Sequence, residues 1–173
     1  MTVLERFQKI KLFVFDVDGV LTDGSLYVFN DGEQARKMNI KDGFALQLAV
    51  KKGYGMLVIS GAYSEAVQKR LEKLGITDVL MKVTDKRETM LRYLEEKKIS
   101  AEHVLFMGDD IPDYEVRKQV GIASCPADAA PEIKSISQYI SIYKGGEGCA
   151  RDVIEKVMKV RGDWSIDVSV SSK

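Results

Sequence analysis

The sequence predicts a three-layer α/β domain: a Rossmann-like parallel sheet with helices on both faces and a small β-hairpin inserted after the first strand. Two observations carry this. Short apolar runs alternate along the chain with longer amphipathic segments, which is the pattern of β-α units. The runs are apolar almost throughout, as strands buried on both faces of a parallel sheet are. Right-handed crossovers then make the sheet doubly wound.

The first strand is read at Leu12–Phe15 (LFVF), and Asp16-Val17-Asp18-Gly19 follows it. Next come two short extended segments, Leu26–Asn30 and Gln34–Asn39, flanking Asp31-Gly32, a strong hairpin turn signal. A helix over Phe44–Lys52 leads to a strand at Met56–Ile59, and a helix over Ser64–Leu74 leads to a strand at Val79–Met81. The pattern repeats with a helix at Lys86–Lys97, a strand at Val104–Met107, a helix at Asp113–Val120 and a strand at Gly121–Ser124. The glycine loop YKGGEG (Tyr143–Gly148) reads as mobile and precedes an amphipathic helix over about Cys149–Val160. The final SIDVSVSSK reads as unstructured. With no linker and no repeat, residues 1–173 form a single domain, with the hairpin and following loop at about 24–40 and a C-terminal tail from about 143 to 173.

Composition limits the function. The 173 residues, 45% hydrophobic and 30% charged, suit one globular core. Lys and Arg (26) balance Asp and Glu (26), so no overall field draws the chain to nucleic acid or to a membrane. Any anion must be held by a local site. Cys125 and Cys149 have no metal-ligand spacing and read as reduced thiols. No run has transmembrane length, and MTVLERFQKIK lacks a signal-peptide core, so a cytoplasmic protein is expected.

In an open parallel sheet, ligands bind beyond the carboxyl ends of the strands. There the chain places Asp16 and Asp18, then Ser60 and Gly61, then Lys86 in the next helix's first turn, then Gly108-Asp109-Asp110 with Asp113 beyond. Clustered carboxylates repel one another, and a divalent cation resolves the conflict. Mg²⁺ takes hard oxygen ligands and uses one or two carboxylates together with substrate phosphate. Asp16 and Asp109 are the expected carboxylate ligands, Asp18 adds its backbone carbonyl, and Asp113 holds a metal-bound water from behind. Asp16 is then placed as a nucleophile toward phosphorus. Asp18 acts as general acid and base. Ser60 and the following N–H bind a phosphoryl oxygen, and Lys86 offsets the negative charge.

These residues resemble the four motifs of the haloacid dehalogenase superfamily, read here as DVDGVLTD, VISG, Lys86 and GDDIPD. The resemblance implies Mg²⁺-dependent hydrolysis of a phosphate monoester through a phospho-aspartate. Only the hairpin and one helix separate Asp18 from Ser60, and Lys86–Asp109 holds no insertion, so no large cap domain is expected. DVDGVLTDGSLYV, MNIKDGFAL (Met38–Leu46) and GGEGCARDVIEKVMKVRG are similar to the capless phosphatases of 3-deoxy-2-ulosonic acid 8- and 9-phosphates, over nearly the whole chain. The resemblance implies a homotetramer with sites at subunit interfaces, a tail reaching toward an adjoining site, and a sugar acid phosphate as substrate. The eight-carbon 3-deoxy-D-manno-octulosonate 8-phosphate of lipopolysaccharide synthesis comes first. It also implies that Asn39, Ile40, Lys41, Asp42 and Gly43 line the substrate site, with Gly61, Arg70 and Lys86 nearby.

One position departs from that pattern. Octulosonate enzymes usually carry Arg after the second motif's Gly; here stands Ala62, followed by Tyr63, with Arg70 along the same helix as a candidate replacement. Nine-carbon ulosonate 9-phosphates and other small sugar phosphates therefore stay open as substrates. A phosphate-sensing receiver-like module is a further alternative, opposed by Asp18, since receivers lack an acid/base two residues after the phosphorylated Asp.

Overall fold

The computed structural model describes residues 1–173. The chain runs α1 (Val3–Phe7), β1 (Leu12–Phe15), the hairpin strands β2 (Tyr27–Val28) and β3 (Gln34–Ala35), α2 (Ile40–Lys51), β4 (Gly55–Ile59), α3 (Glu65–Lys73), β5 (Asp78–Leu80) and α4 (Lys86–Lys97). It continues through β6 (Val104–Met107), α5 (Tyr114–Arg117), β7 (Ile122–Cys125), α6 (Pro131–Ser135), β8 (Tyr139–Ile140) and α7 (Cys149–Arg161). Six strands form one parallel sheet in the order β5-β4-β1-β6-β7-β8. The expected α/β architecture is therefore present, together with the small antiparallel hairpin.

The apolar runs have a direct cause. Side chains alternate across a strand, and here both faces are covered. Phe13 and Phe15 of β1, Met56 and Val58 of β4, and Leu105 and Met107 of β6 share one core with Leu46 and Ala49 of α2, Val67 and Leu71 of α3, and Val153 and Val157 of α7. Leu12, Val14, Leu57, Ile59, Val104 and Phe106 point the other way, onto Met90 and Leu94 of α4 and Val116 of α5. Each large side chain so buried contributes about 1.5–3 kcal/mol. Because α2 and α4 cover opposite faces, the chain changes direction between β1 and β6, and the carboxyl ends of these two strands flank a crevice.

Helix caps fix what enters that crevice. Asp85 accepts from Glu88 N at 2.8 Å, so α4 starts at Lys86 as expected. The α2 helix begins at Ile40, ahead of the expected Phe44, because Asn39 Oδ1 accepts from Lys41 N at 2.8 Å and from Asp42 N at 3.3 Å. The expected substrate loop is thus largely a first helical turn.

The hairpin ladder is shorter than expected. Only Tyr27 with Ala35 and Val28 with Gln34 pair around the Asp31-Gly32 turn, since the hairpin stands off the body with little to pack against. The helix expected to run to Val120 ends at Arg117. Helices α1 and α6 and strand β8 were not expected from the sequence; each is too short to show a period.

The glycine loop and tail are both seated on the same chain. Gly146 N donates to Val20 O at 2.9 Å and Gly145 N to Asp128 Oδ1 at 2.9 Å. A Cβ on Gly145 would fall 1.9 Å from Gly19 O, so only glycine permits this approach. The last residues, expected to be unstructured, form no helix or strand but lie across α2. Trp164 meets Phe44 edge-on at 6.4 Å, Lys51 Nζ lies 2.7 Å from Asp167, and Gln47 Nε2 donates to Ser171 O at 2.9 Å. No helix is long and apolar enough to cross a membrane.

Candidate active site

Asp16 directly follows β1, and its N–H still pairs with Met107 O of β6 at 3.0 Å. The sheet therefore fixes its backbone. Its Oδ1 accepts from Val17 N at 2.7 Å, and its Oδ2 lies 2.8 Å from Lys86 Nζ. The chain then makes one wide helical turn over Val17–Leu21, broken at Asp18 (ψ 123) and at Gly19 (φ +82). A Cβ on Gly19 would lie 1.9 Å from Asp109 Oδ2, so glycine is needed for the conformation and for the room. Thr22, fully buried, closes the turn by accepting from Gly19 N at 3.3 Å and Gly24 N at 3.2 Å.

The other strand ends complete the set. Ser60 directly follows β4, and its Oγ accepts from Ala62 N at 3.3 Å. Asp113 folds back so that Oδ2 accepts from Asp109 N at 3.0 Å and Asp110 N at 3.4 Å, while Oδ1 lies 2.7 Å from Lys86 Nζ. Lys86 thus bridges Asp16 and Asp113. Asp18 turns outward, where Arg36, just past β3, reaches it at 2.7 Å (Nε to Oδ1) and 3.4 Å (Nη2 to Oδ2). A cavity of about 410 Å³ is lined by Asp16, Asp18, Ser60, Gly61, Lys86, Asp109 and Asp113, with Ala62, Val83 and Thr84 on its wall.

The electrostatics are out of balance in a telling direction. Burial, and then the charge of Asp113, raise Asp16 to about 6 despite Lys86. Burial, and then Asp16, Asp113 and Asp110, raise Asp109 to about 7. Burial works against the Lys86 ammonium, but Asp113 and Asp16 hold its pKa above the usual lysine value. Three carboxylates around one ammonium leave negative charge uncompensated. Asp16, Asp109 and Asp113 can each offer an oxygen within 4.8 Å of the others. This donor set suits a hard divalent cation. Asp113 is already engaged by two N–H groups and Lys86, which leaves Asp16 and Asp109 the freer ligands.

Not every expected residue meets here. Asn39, Ile40, Lys41, Asp42, Gly43 and Arg70 do not line the cavity of their own chain. Asn39 Oδ1 caps α2, and Ile40 and Lys41 are exposed. Asp42 is buried and serves another helix: Oδ1 accepts from Arg151 N in the first turn of α7 at 2.8 Å, while Oδ2 has no partner. Burial raises its pKa to about 6. Arg70 lies beside Gly43 and donates to Lys173 O at 3.1 Å. Two residues at the site were not foreseen. Thr22 sits within the first motif, where its burial gave no separate signal. Arg36 is brought to Asp18 only by the hairpin.

A family model described as haloacid dehalogenase-like hydrolase matches residues 59–151. The chain belongs to the haloacid dehalogenase-like hydrolase family, in keeping with the strand-end aspartates and lysine. Within it, the chain is similar to 3-deoxy-D-manno-octulosonate 8-phosphate phosphatase KdsC of Escherichia coli (strain K12), with 32% identity over 160 residues, 92% of this chain and 85% of that one. The crystal structure of the phosphatase of that name from Yersinia pestis superposes with a TM-score of 0.91 at 30% identity, covering 93% of this chain and 87% of that one. The Moraxella catarrhalis phosphatase, solved with a magnesium ion, a phosphate ion and a KDO molecule, gives a TM-score of 0.90 at 28% identity, covering 92% of each chain.

Proposed function

We propose that this chain is a Mg²⁺-dependent phosphatase of a 3-deoxy-2-ulosonic acid phosphate, foremost 3-deoxy-D-manno-octulosonate 8-phosphate. The observation that carries the reading is the pair Asp16 and Asp18 in one cavity with Ser60, Lys86 and Asp109. Asp16, Asp109 and the Asp18 carbonyl are the groups to hold Mg²⁺, with Asp113 in support. When bound, the ion supplies Lewis-acid and charge stabilisation to the phosphate.

The protein groups then have complementary tasks. A carboxylate oxygen of Asp16 attacks phosphorus as the ester P–O bond breaks, and Asp18 protonates the departing alkoxide. Asp18, now ionised, takes a proton from water. That water attacks phosphorus, releasing inorganic phosphate and restoring Asp16. Ser60 Oγ and Gly61 N–H hold non-reacting phosphoryl oxygens, and Lys86 keeps Asp16 ionised and oriented. Asp18 also argues against a receiver-like module, because it gives the phospho-aspartate a route to hydrolysis.

The residues expected to read the sugar acid do not line the cavity of their own chain. A homotetramer in which Asn39, Ile40, Lys41, Gly43 and Arg70 serve a neighbouring cavity answers this. The exposed Leu26, Tyr27, Val28 and Phe29 of the hairpin support such an association. The two free, buried cysteines suit a cytoplasmic setting. Ala62 on the cavity wall favours a second reading, a nine-carbon ulosonate 9-phosphate, because no cation follows Gly61.

The test is phosphate release from the eight- and nine-carbon esters and a panel of aldose phosphates, with Mg²⁺ or chelator. Preference for an aldose phosphate overturns the substrate class. Full activity in Asp16→Asn overturns the nucleophile.

A further inference from the structure

We propose that Arg36 is a positioning residue for Asp18, which makes the β2–β3 hairpin part of the catalytic apparatus. The inference rests on the phosphatase reading above.

The other two site acids with hydrogen bonds are held locally. Asp16 accepts from Val17 N, and Asp113 from Asp109 N and Asp110 N. Asp18 has neither kind of tether: its two hydrogen bonds both come from Arg36, at 2.7 and 3.4 Å. The burial is lopsided. The Arg36 side chain is 4% exposed, while that of Asp18 is 38% exposed. A guanidinium withdrawn from water must be paired, and Asp18 is the only acid that Arg36 meets. A hairpin with two residues per strand therefore commits a nearly buried cation to one acid at the cavity.

The geometry suits an acid/base. A planar fork fixes the plane of a carboxylate as well as its distance, which an ammonium does not. The fork is uneven. The short bond anchors Oδ1, and the longer one leaves Oδ2 the freer oxygen to meet the leaving group and then the water. A general acid must stay within hydrogen-bond reach of its partner in both steps.

The experiment compares two esters by kcat/KM, which reports steps up to formation of the phospho-enzyme. 3-deoxy-D-manno-octulosonate 8-phosphate loses an alkoxide that needs a proton; p-nitrophenyl phosphate loses a phenolate that does not. R36M is expected to lower kcat/KM for the alkyl ester by roughly 100-fold, within the range of general acid catalysis, and for the aryl ester by less than about 10-fold. R36K, which keeps the charge and loses the fork, falls between. D18N shows the same selectivity, and D18N/R36M is no slower than D18N, because both changes remove one device.

Equal losses on the two esters in R36M, additive losses in the double variant, or wild-type rates in R36M each overturn the proposal. If R36M melts below the assay temperature, R36K carries the same comparison. Undiminished alkyl-ester turnover in D18N sinks the assignment of Asp18 itself, and Arg36 falls with it. A wild-type protein that hydrolyses neither ester sinks the phosphatase reading.

Discussion

Lys86 reaches from the first turn of α4 to stand 2.8 Å from Oδ2 of Asp16 at the end of β1. Helix and strand lie in different layers, and this contact ties them together at the crevice. The same ammonium reaches Asp113 at 2.7 Å, so one side chain organises both the acid read as nucleophile and the acid behind it.

Replacing Lys86 with Met leaves two buried carboxylates without their cation. Breaking a buried pair from one side typically costs about 3–5 kcal/mol. Urea unfolding in EDTA should show a loss of that order, and phosphatase turnover should fall with it. A loss under about 1 kcal/mol would mean that the acids do not depend on Lys86.

The acids should make the metal-free protein less stable as pH rises. Burial and mutual repulsion raise Asp16 to about 6 and Asp109 to about 7. Between the ordinary carboxylate range and pH 7, the folded state therefore binds protons that the unfolded chain has released, and stability falls through that window. Asp42, raised to about 6 by burial, adds the same sign. Melting in EDTA should drop from pH 5 to pH 7.5, and saturating Mg²⁺ should abolish most of the drop. A melting temperature that climbs over this range in EDTA contradicts the charge imbalance.

Mg²⁺ should itself raise the melting temperature at pH 7.5. At a hundred times its dissociation constant the gain is about 2.7 kcal/mol. Asp109→Ala should remove that gain. An unchanged Mg²⁺ response in the variant would place the ion elsewhere.

Gly19→Ala meets two obstacles at once. The residue has φ +82, which costs an L-residue about 1–2 kcal/mol, and its Cβ would sit 1.9 Å from Asp109 Oδ2. The displaced Asp109 should blunt the Mg²⁺-induced rise in melting temperature as well as activity. Retention of the full Mg²⁺ response would show that the turn yields instead.

Asp42→Ala tests whether this acid serves α7 or substrate. Losing the acceptor for Arg151 N should cost about 1 kcal/mol of stability, with KM unchanged. A large rise in KM with unchanged melting would return Asp42 to the substrate site.

The sheet and its strand-end groups were legible because both follow local rules. LFVF and VLFM are buried on both faces, so their strands read as unbroken apolar runs; Asp16 follows the first directly, and Asp109 follows the second after Gly108. Lys86 was legible as a lysine in the first turn of the helix after the third strand; that Asp85 caps this helix is seen only in the structure. What escaped depends on distant partners. Asp42 meets Arg151 across 109 residues, and nothing near either one signals the other. Arg36 meets Asp18 only because the hairpin folds back. The α1 helix is capped reciprocally by Thr2 and Glu5 and anchored in the core by Phe7, but its five residues are too few to show a helical period.

The central place of β1 has a consequence for how the protein is made. Leu12 pairs with Gly55 on one side and Val104 on the other, so the first strand synthesised waits longest for both neighbours. Such distant pairings slow folding, and during translation LFVF is a bare, strand-prone segment that invites association with other chains or shelter by a chaperone. The delay also has a protective side. Asp16 and Asp109 are brought together by the pairing of β1 with β6, so a chain stalled short of β6 carries the acid proposed as nucleophile without the second carboxylate proposed for the metal. On the proposed mechanism, truncated products should be inert toward phosphate esters, with activity expected only after the second half of the sheet has been built.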